Sequence, residues 1–295
     1  MTDLIHHDLK FPGQIEQLKT RNPTAFGFRL RRFLSNPEFQ HRPIRTIRKR
    51  LYWRLHWKLR PESPFVFHLT SGQSIRLAHS SASSGIYLNG GFSDPHLAQL
   101  FREYLAPGMI AFDCGAHIGE YTLQFARLVG PGGQVHAFEP DPRVHAYLES
   151  NVALNRLTNV VVNRLGLSNR ETAATFCLQR DATTSSLQEH AETRGVQGIT
   201  IQTTTLDSYA RFNHLKRIDA LKIDVEGAEA SVLAGAQNVI LRFQPGLIFV
   251  ECDRPVNVTP VMEALQAAGY QVENRFDARH LHPHVVARKS KPEGT

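Results

Sequence analysis

Acidic residues close short apolar runs at four places in this chain: Asp113, Glu139, Asp224 and Glu251. A carboxylate ending a buried strand is seldom there for packing. It can accept hydrogen bonds from hydroxyls, attract a cation or take a proton. Asp113 belongs to the segment Met109–Tyr121 (MIAFDCGAHIGEY), which reads as a strand, a tight turn through Gly115 and Gly119, and the start of a helix. Glu139 lies 20 residues beyond Gly119 and ends a second run, Gln134–Phe138. That interval fits one strand–helix–strand unit. An acidic residue at the tip of its second strand can bind both ribose hydroxyls of a nucleoside cofactor.

The glycine pattern discriminates between cofactors. A dinucleotide site uses G-x-G-x-x-G to bring backbone against a pyrophosphate. Here the pattern is D-x-G-x-x-x-G, with Asp113 in place of the first glycine. A carboxylate there would repel phosphates and attract the ammonium and sulfonium charges of S-adenosylmethionine (SAM). Asp113 and Glu139 are therefore expected on SAM. A nicotinamide-dependent oxidoreductase is the rival reading of the same unit, and Asp113 counts against it.

Strands are expected at 109–113, 134–138, 159–165, 220–224, 246–251 and 270–276, with an antiparallel one at 283–288. Helices at 118–129, 142–155, 228–236 and 258–268 alternate with them. This order implies an α/β fold: a Rossmann-like, doubly wound, mostly parallel seven-stranded sheet covered on both faces. A hairpin turning at Ser71-Gly72 and a helix capped by Asp94 precede it. Residues 172–178 and 199–204 form a β excursion around a polar loop. Domain boundaries are expected at 1–62, a basic extension, and 63–295, the nucleoside-binding domain. Ligands of such sheets bind beyond the carboxyl ends of the strands.

Five segments occur in order: GMIAFDCGAHIGEY (Gly108–Tyr121), HAFEPD (His136–Asp141), NVALN (Asn151–Asn155), TLDSY (Thr205–Tyr209) and LKIDVEGAE (Leu221–Glu229). Together they resemble the FkbM family of SAM-dependent methyltransferases over about 88–270. The resemblance implies a class I methyltransferase, mostly an O-methyltransferase of sugar, glycan or polyketide hydroxyls. It implies that Gly115, Ala116 and Gly119 hug the methionine moiety, Glu139 the ribose, and Leu167 and Ser168 the adenine. Asp224 is expected beside the methyl donor, with Glu226 as base or acceptor anchor. Glu229 fits a helix start, where acids favour the dipole. Asp224, Glu226 and Glu251 raise the idea of a divalent ion, but no metal is assigned. The segment Gly90–Asp94 is a candidate acceptor-side lid.

Composition bounds the rest. The net charge is +7, yet residues 21–60 hold twelve Lys or Arg against Glu38 alone, so the remaining residues sum to −4. Within 44–60, Ile44, Ile47, Leu51, Leu55 and Leu59 make one helical stripe among basic side chains. Docking of that stripe on the catalytic domain or on a second subunit, as in a homodimer, is the first expectation. An anionic membrane surface is the second, and nucleic acid the least favoured. A non-catalytic SAM-binding module tethered to a membrane is a further alternative. Three scattered cysteines and an N-terminus without an apolar leader suggest a cytoplasmic protein, peripheral at the inner membrane surface if the basic helix binds lipid.

Overall fold

The computed structural model describes residues 39–40, 42–61, 63–69, 71–178, 186–187, 197–252, 255–275 and 283–289. Residues 1–38 of the expected basic extension and most of the polar loop after 178 lie outside them. The chain divides into two compact units, Met1–Lys58 and Leu59–Thr295. The division falls four residues before the boundary expected from the sequence.

The first unit contributes helix α1 (Pro43–Leu59), which stops just before Pro61. The second opens with β1 (Phe65–His68) and β2 (Ser74–Leu77), an antiparallel hairpin whose turn contains Gly72 at φ +84°. Helices α2 (Ser81–Leu88) and α3 (Pro95–Tyr104) follow. The Asp94 carboxylate accepts the N–H groups of His96 at 2.8 Å and Leu97 at 3.2 Å, with Pro95 at the first position.

The alternating core then runs β3 (Ile110–Cys114), α4 (Glu120–Val129), β4 (Gln134–Phe138), α5 (Pro142–Leu154) and β5 (Val160–Asn163). A side sheet interrupts it: β6 (Gly166–Leu167), β7 (Thr172–Leu178), β8 (Ser186–Leu187) and β9 (Gln197–Thr204). The core resumes with α6 (Leu206–Phe212), β10 (Ala220–Ile223), α7 (Glu229–Ala234), α8 (Gln237–Phe243), β11 (Leu247–Glu251), α9 (Val258–Ala267), β12 (Gln271–Arg275) and β13 (His284–Arg288). The sequence reading misses α2, α6 and α8, each only seven or eight residues long. So short a run shows barely two turns of period.

The seven-stranded sheet has the order β12-β13-β11-β10-β3-β4-β5, with β13 antiparallel to both neighbours and the other pairings parallel. Both faces are buried, which explains why its strands are apolar runs. Phe112, Leu221, Ile223, Ile248 and Val250 face a core shared with α6, α7, α8 and α9. Ala111, Val135, Ala220 and Phe249 face Phe101 of α3 and Tyr121 and Phe125 of α4. Strand order reverses at β3, so the ends of β3, β4 and β10 open the crevice where ligands bind.

Polar residues of the quoted segments tie this frame together. Buried Asn151 accepts the Arg76 N–H at 2.6 Å and donates to the Ile118 carbonyl at 2.8 Å. It thereby joins the hairpin to the glycine turn. Asp207 accepts the N–H groups of Asn238 and Val239, satisfying orphan donors at the start of α8. His136 and the Tyr209 hydroxyl are 2.8 Å apart, and burial lowers the His136 imidazole to about 4.

Candidate active site

The site is built around a turn whose glycine has no substitute. Gly115 has φ +80°, and a Cβ added to it would lie 1.7 Å from the Asp224 carbonyl oxygen. The ends of β3 and β10 can approach this closely only without a side chain there. The N–H groups of Gly115 and Ala116 both donate to the Phe138 carbonyl, at 3.0 and 2.9 Å. The turn is thus clamped to the end of β4. His117 follows at φ +50°, a left-handed value rare outside glycine, and its N–H donates to Glu139 Oε2 at 2.9 Å.

Glu139 is buried against the pocket. Its other oxygen accepts the Asp141 N–H at 2.9 Å. Each oxygen keeps lone-pair capacity for a further donor. Burial pushes this carboxyl up to about 7, against the opposing pull of the Asp141 and His117 N–H groups.

The pocket at the strand ends is lined by Gly115, Ala116, His117, Glu139 and Pro140 on one side. Phe138, Leu165, Leu167, Phe176 and Ile201 make an apolar wall. Lys222, Asp224, Glu226 and Glu251, with Ser93, Glu120 and Tyr121, make a charged end. This donor set fits an adenosyl cofactor: carboxylate acceptors for the ribose, an apolar wall for a flat base, and negative charge for a cationic methionine. Of the expected residues, Gly115, Ala116, Glu139, Leu167, Asp224 and Glu226 are brought together around one pocket.

Three are not. Asp113 is fully buried and does not line the pocket. It pairs directly with Lys222 in the β3–β10 register. Its carboxylate lies 3.3 Å from Lys222 Nζ and accepts the Thr122 hydroxyl at 2.6 Å. The acid expected to face a cationic ligand instead balances a buried lysine. Gly119 also lies outside the pocket lining. It caps α4 at φ +94°, and a Cβ there would sit 2.7 Å from Leu148 Cδ1, so its smallness serves helix packing. Ser168 turns its hydroxyl to Asn169, while its backbone packs against Gly235. Phe176 and Ile201 of the side sheet line the pocket instead.

Lys222 lines the pocket, and sequence reasoning passed over it. Its ammonium lies 3.2 Å from Asp224 Oδ2, donates to the Gly115 carbonyl at 3.2 Å, and sits 5.4 Å from the Tyr121 ring centre. Burial alone would depress its basicity. The carboxylates of Asp224 and Asp113 outweigh that and hold it above the ordinary lysine range. The signal was present: a lysine inside the apolar strand ALKI is almost never buried unless paired.

Glu120 was missed because an acid in a first helical turn has a ready dipole explanation. Its side chain is buried and accepts the Ser93 N–H at 2.5 Å, which ties the segment Gly90–Asp94 to the pocket. Burial, opposed by the bonds from Ser93, pushes the Glu120 carboxyl up to about 8. Glu251 reaches the same neighbourhood through His284, whose ring nitrogens lie 3.7 Å from Glu251 and 4.0 Å from Asp94. Glu229, as expected, serves its helix: it accepts the Gly227 N–H at 2.7 Å and an Asn257 amide N–H at 3.0 Å. Among the described residues no cluster of three His, Cys, Asp or Glu is arranged to share an ion.

Comparison with known proteins agrees with this geometry. The model of the methyltransferase FkbM domain matches residues 113–272. The 31-O-demethyl-FK506 methyltransferase FkbM of Streptomyces tacrolimicus is 28% identical over 206 residues, covering 60% of this chain and 74% of that protein. The 2-O-methyltransferase NoeI of Sinorhizobium fredii (strain NBRC 101917 / NGR234) is 27% identical over 150 residues, covering 46% and 60%. A crystal structure of methyltransferase FkbM from Methylobacillus flagellatus KT aligns with a TM-score of 0.47 at 17% identity, over 72% of this chain and 56% of that one. The family match leaves the nicotinamide reading without support. The chain belongs to the FkbM methyltransferase family, whose methyl donor is SAM.

Proposed function

We propose that this protein methylates a hydroxyl oxygen of a sugar, glycan or secondary-metabolite acceptor. The observation that carries the reading is the charged end of the pocket, where Asp224, Glu226 and Glu251 border the space beside the glycine turn. Carboxylates at a pocket rim accept hydrogen bonds from hydroxyl groups and repel anionic acceptors. The names of the relatives acting on oxygen point the same way.

SAM supplies an electrophilic methyl group. The chain's part is to align an oxygen with it in line and to take the hydroxyl proton. Glu139 holds the ribose, the Gly115–His117 turn receives the methionine portion, and Leu167 with Phe176 and Ile201 covers the base. Asp224 receives the acceptor's proton, oriented by the Lys222 ammonium. Glu226, held at φ +53° on the turn after β10, anchors a neighbouring acceptor hydroxyl. Such local strain is typical of a residue placed for function.

The raised Glu139 carboxyl gives this account a pH signature. A ribose hydroxyl donates well only to the ionised form. Affinity for S-adenosylhomocysteine should fall about tenfold per pH unit below about pH 7 and level off above about pH 8. The ligand-free fold responds in the opposite sense. Its carboxyl holds a proton more readily than the ordinary 4.5 allows, so stability declines as pH rises from about 4.5 to about 7. Calorimetric titration across this range checks the first statement; constant affinity would contradict it.

Reaction specificity is tested by incubating the protein with methyl-labelled SAM and extracts of its source cells. Label in a base-stable methyl ether on a neutral, hydroxyl-rich compound is expected. Label confined to methylamines, or to base-labile esters, would overturn the oxygen assignment.

A further inference from the structure

The apolar stripe of α1 is exposed. Ile44 is 74% exposed, Ile47 51%, Leu51 65%, Leu55 48% and Leu59 67%. At about 100° per residue these five fall within one third of the helix circumference. Trp53 and Trp57 occupy the opposite side and are buried, edge-to-face at 5.6 Å between ring centres. The tryptophans thus take the side of the helix opposite the stripe.

Charge decides what can cover it. Exposed Arg48 and Lys58 lie within the stripe's arc, with exposed Arg54 and Arg45 on its two flanks. No acidic residue occurs anywhere between Pro43 and Arg60. A second copy of the helix would set these cations against their own kind, with no carboxylate to pair them. Nucleic acid would satisfy the cations and leave the leucines nothing to bury against. A surface offering phosphate charge above hydrocarbon satisfies both sets at once. No helix among the described residues is long and apolar enough to cross a membrane.

We propose that α1 lies in the interface of an anionic lipid bilayer, with Ile44, Ile47, Leu51, Leu55 and Leu59 toward the acyl boundary and the basic side chains within and beside the stripe extended to lipid phosphates. The inference is independent of which oxygen the enzyme methylates. An enzyme held this way would meet amphiphilic acceptors at the surface where they reside.

The test is flotation of the full chain with vesicles of phosphatidylcholine alone or with about one third phosphatidylglycerol. Flotation at least tenfold greater with the anionic vesicles is expected. The Leu51→Glu/Leu55→Glu variant should lose that excess at least tenfold while binding S-adenosylhomocysteine as wild type does, which shows that it is folded. Equal flotation on both vesicle types, or a variant that floats like wild type, would overturn the proposal. So would a wild-type dimer that becomes monomeric in the variant without any vesicle binding, because the stripe would then be a subunit interface. Retention of the protein on RNA with no flotation would overturn it as well.

Discussion

Replacing Lys222 with Met should cost about 3–5 kcal/mol of stability, because the buried Asp113 carboxylate would lose its ammonium partner and keep only the Thr122 hydroxyl. The methionine fills much the same volume, so lost packing is a minor part of the effect. The charge is the cause, and a second substitution shows it. Asp113→Asn placed on top of Lys222→Met removes the orphaned carboxylate and should recover most of the lost stability. Thermal or denaturant unfolding of the two variants checks this. A Lys222→Met protein as stable as wild type, or a double variant no better than the single, would contradict the pairing. The double variant should still bind S-adenosylhomocysteine, since Glu139 and the apolar wall are untouched. Its turnover should remain low, since Asp224 has lost the ammonium that orients it.

Asp224→Asn should lower turnover by about 10²–10⁴-fold, the usual worth of a positioned general base. The amide keeps the shape of the carboxylate, and Lys222 retains Asp113, so the fold should hold. Affinity for S-adenosylhomocysteine should change less than about tenfold, because the ribose and base contacts lie at the other end of the pocket. The checks are initial rates at saturating SAM and titration with the demethylated product. Turnover within about threefold of wild type would remove Asp224 as the base and pass that role to Glu226 or Glu251.

The parts of the fold legible in the sequence were those that repeat a period or obey a local rule. Asp94 with Pro95 announced α3. The apolar runs ending at Asp113, Glu139 and Glu251 announced buried strands. Gly115 was legible as a glycine because the turn requires one, and Glu139 because its distance from that turn suits a ribose. What stayed hidden depended on facing. Asp113 looks like a ligand-facing acid when β3 is read by itself. Only its register against β10 shows that it answers Lys222. Cofactor identity was thus read correctly from an electrostatic argument whose charge sits elsewhere: the pocket's negative end is Asp224, Glu226 and Glu251. Ser168 and the wall of Phe176 and Ile201 illustrate the same limit. Which of two adjacent residues faces a cavity depends on how a side sheet folds back, and no local pattern encodes that. The stripe of α1 was visible as a stripe, but its exposure follows from Trp53 and Trp57 taking the buried side.

The account rests on the adenosyl group occupying the space beside the Gly115–His117 turn, with its ribose on Glu139. Titration of S-adenosylhomocysteine into wild type and Glu139→Ala tests this most directly. Affinity at pH 8 should fall at least tenfold in the variant, on the scale of about 1–3 kcal/mol for hydrogen bonds to a charged group. Equal affinity in a folded Glu139→Ala protein would place the cofactor elsewhere.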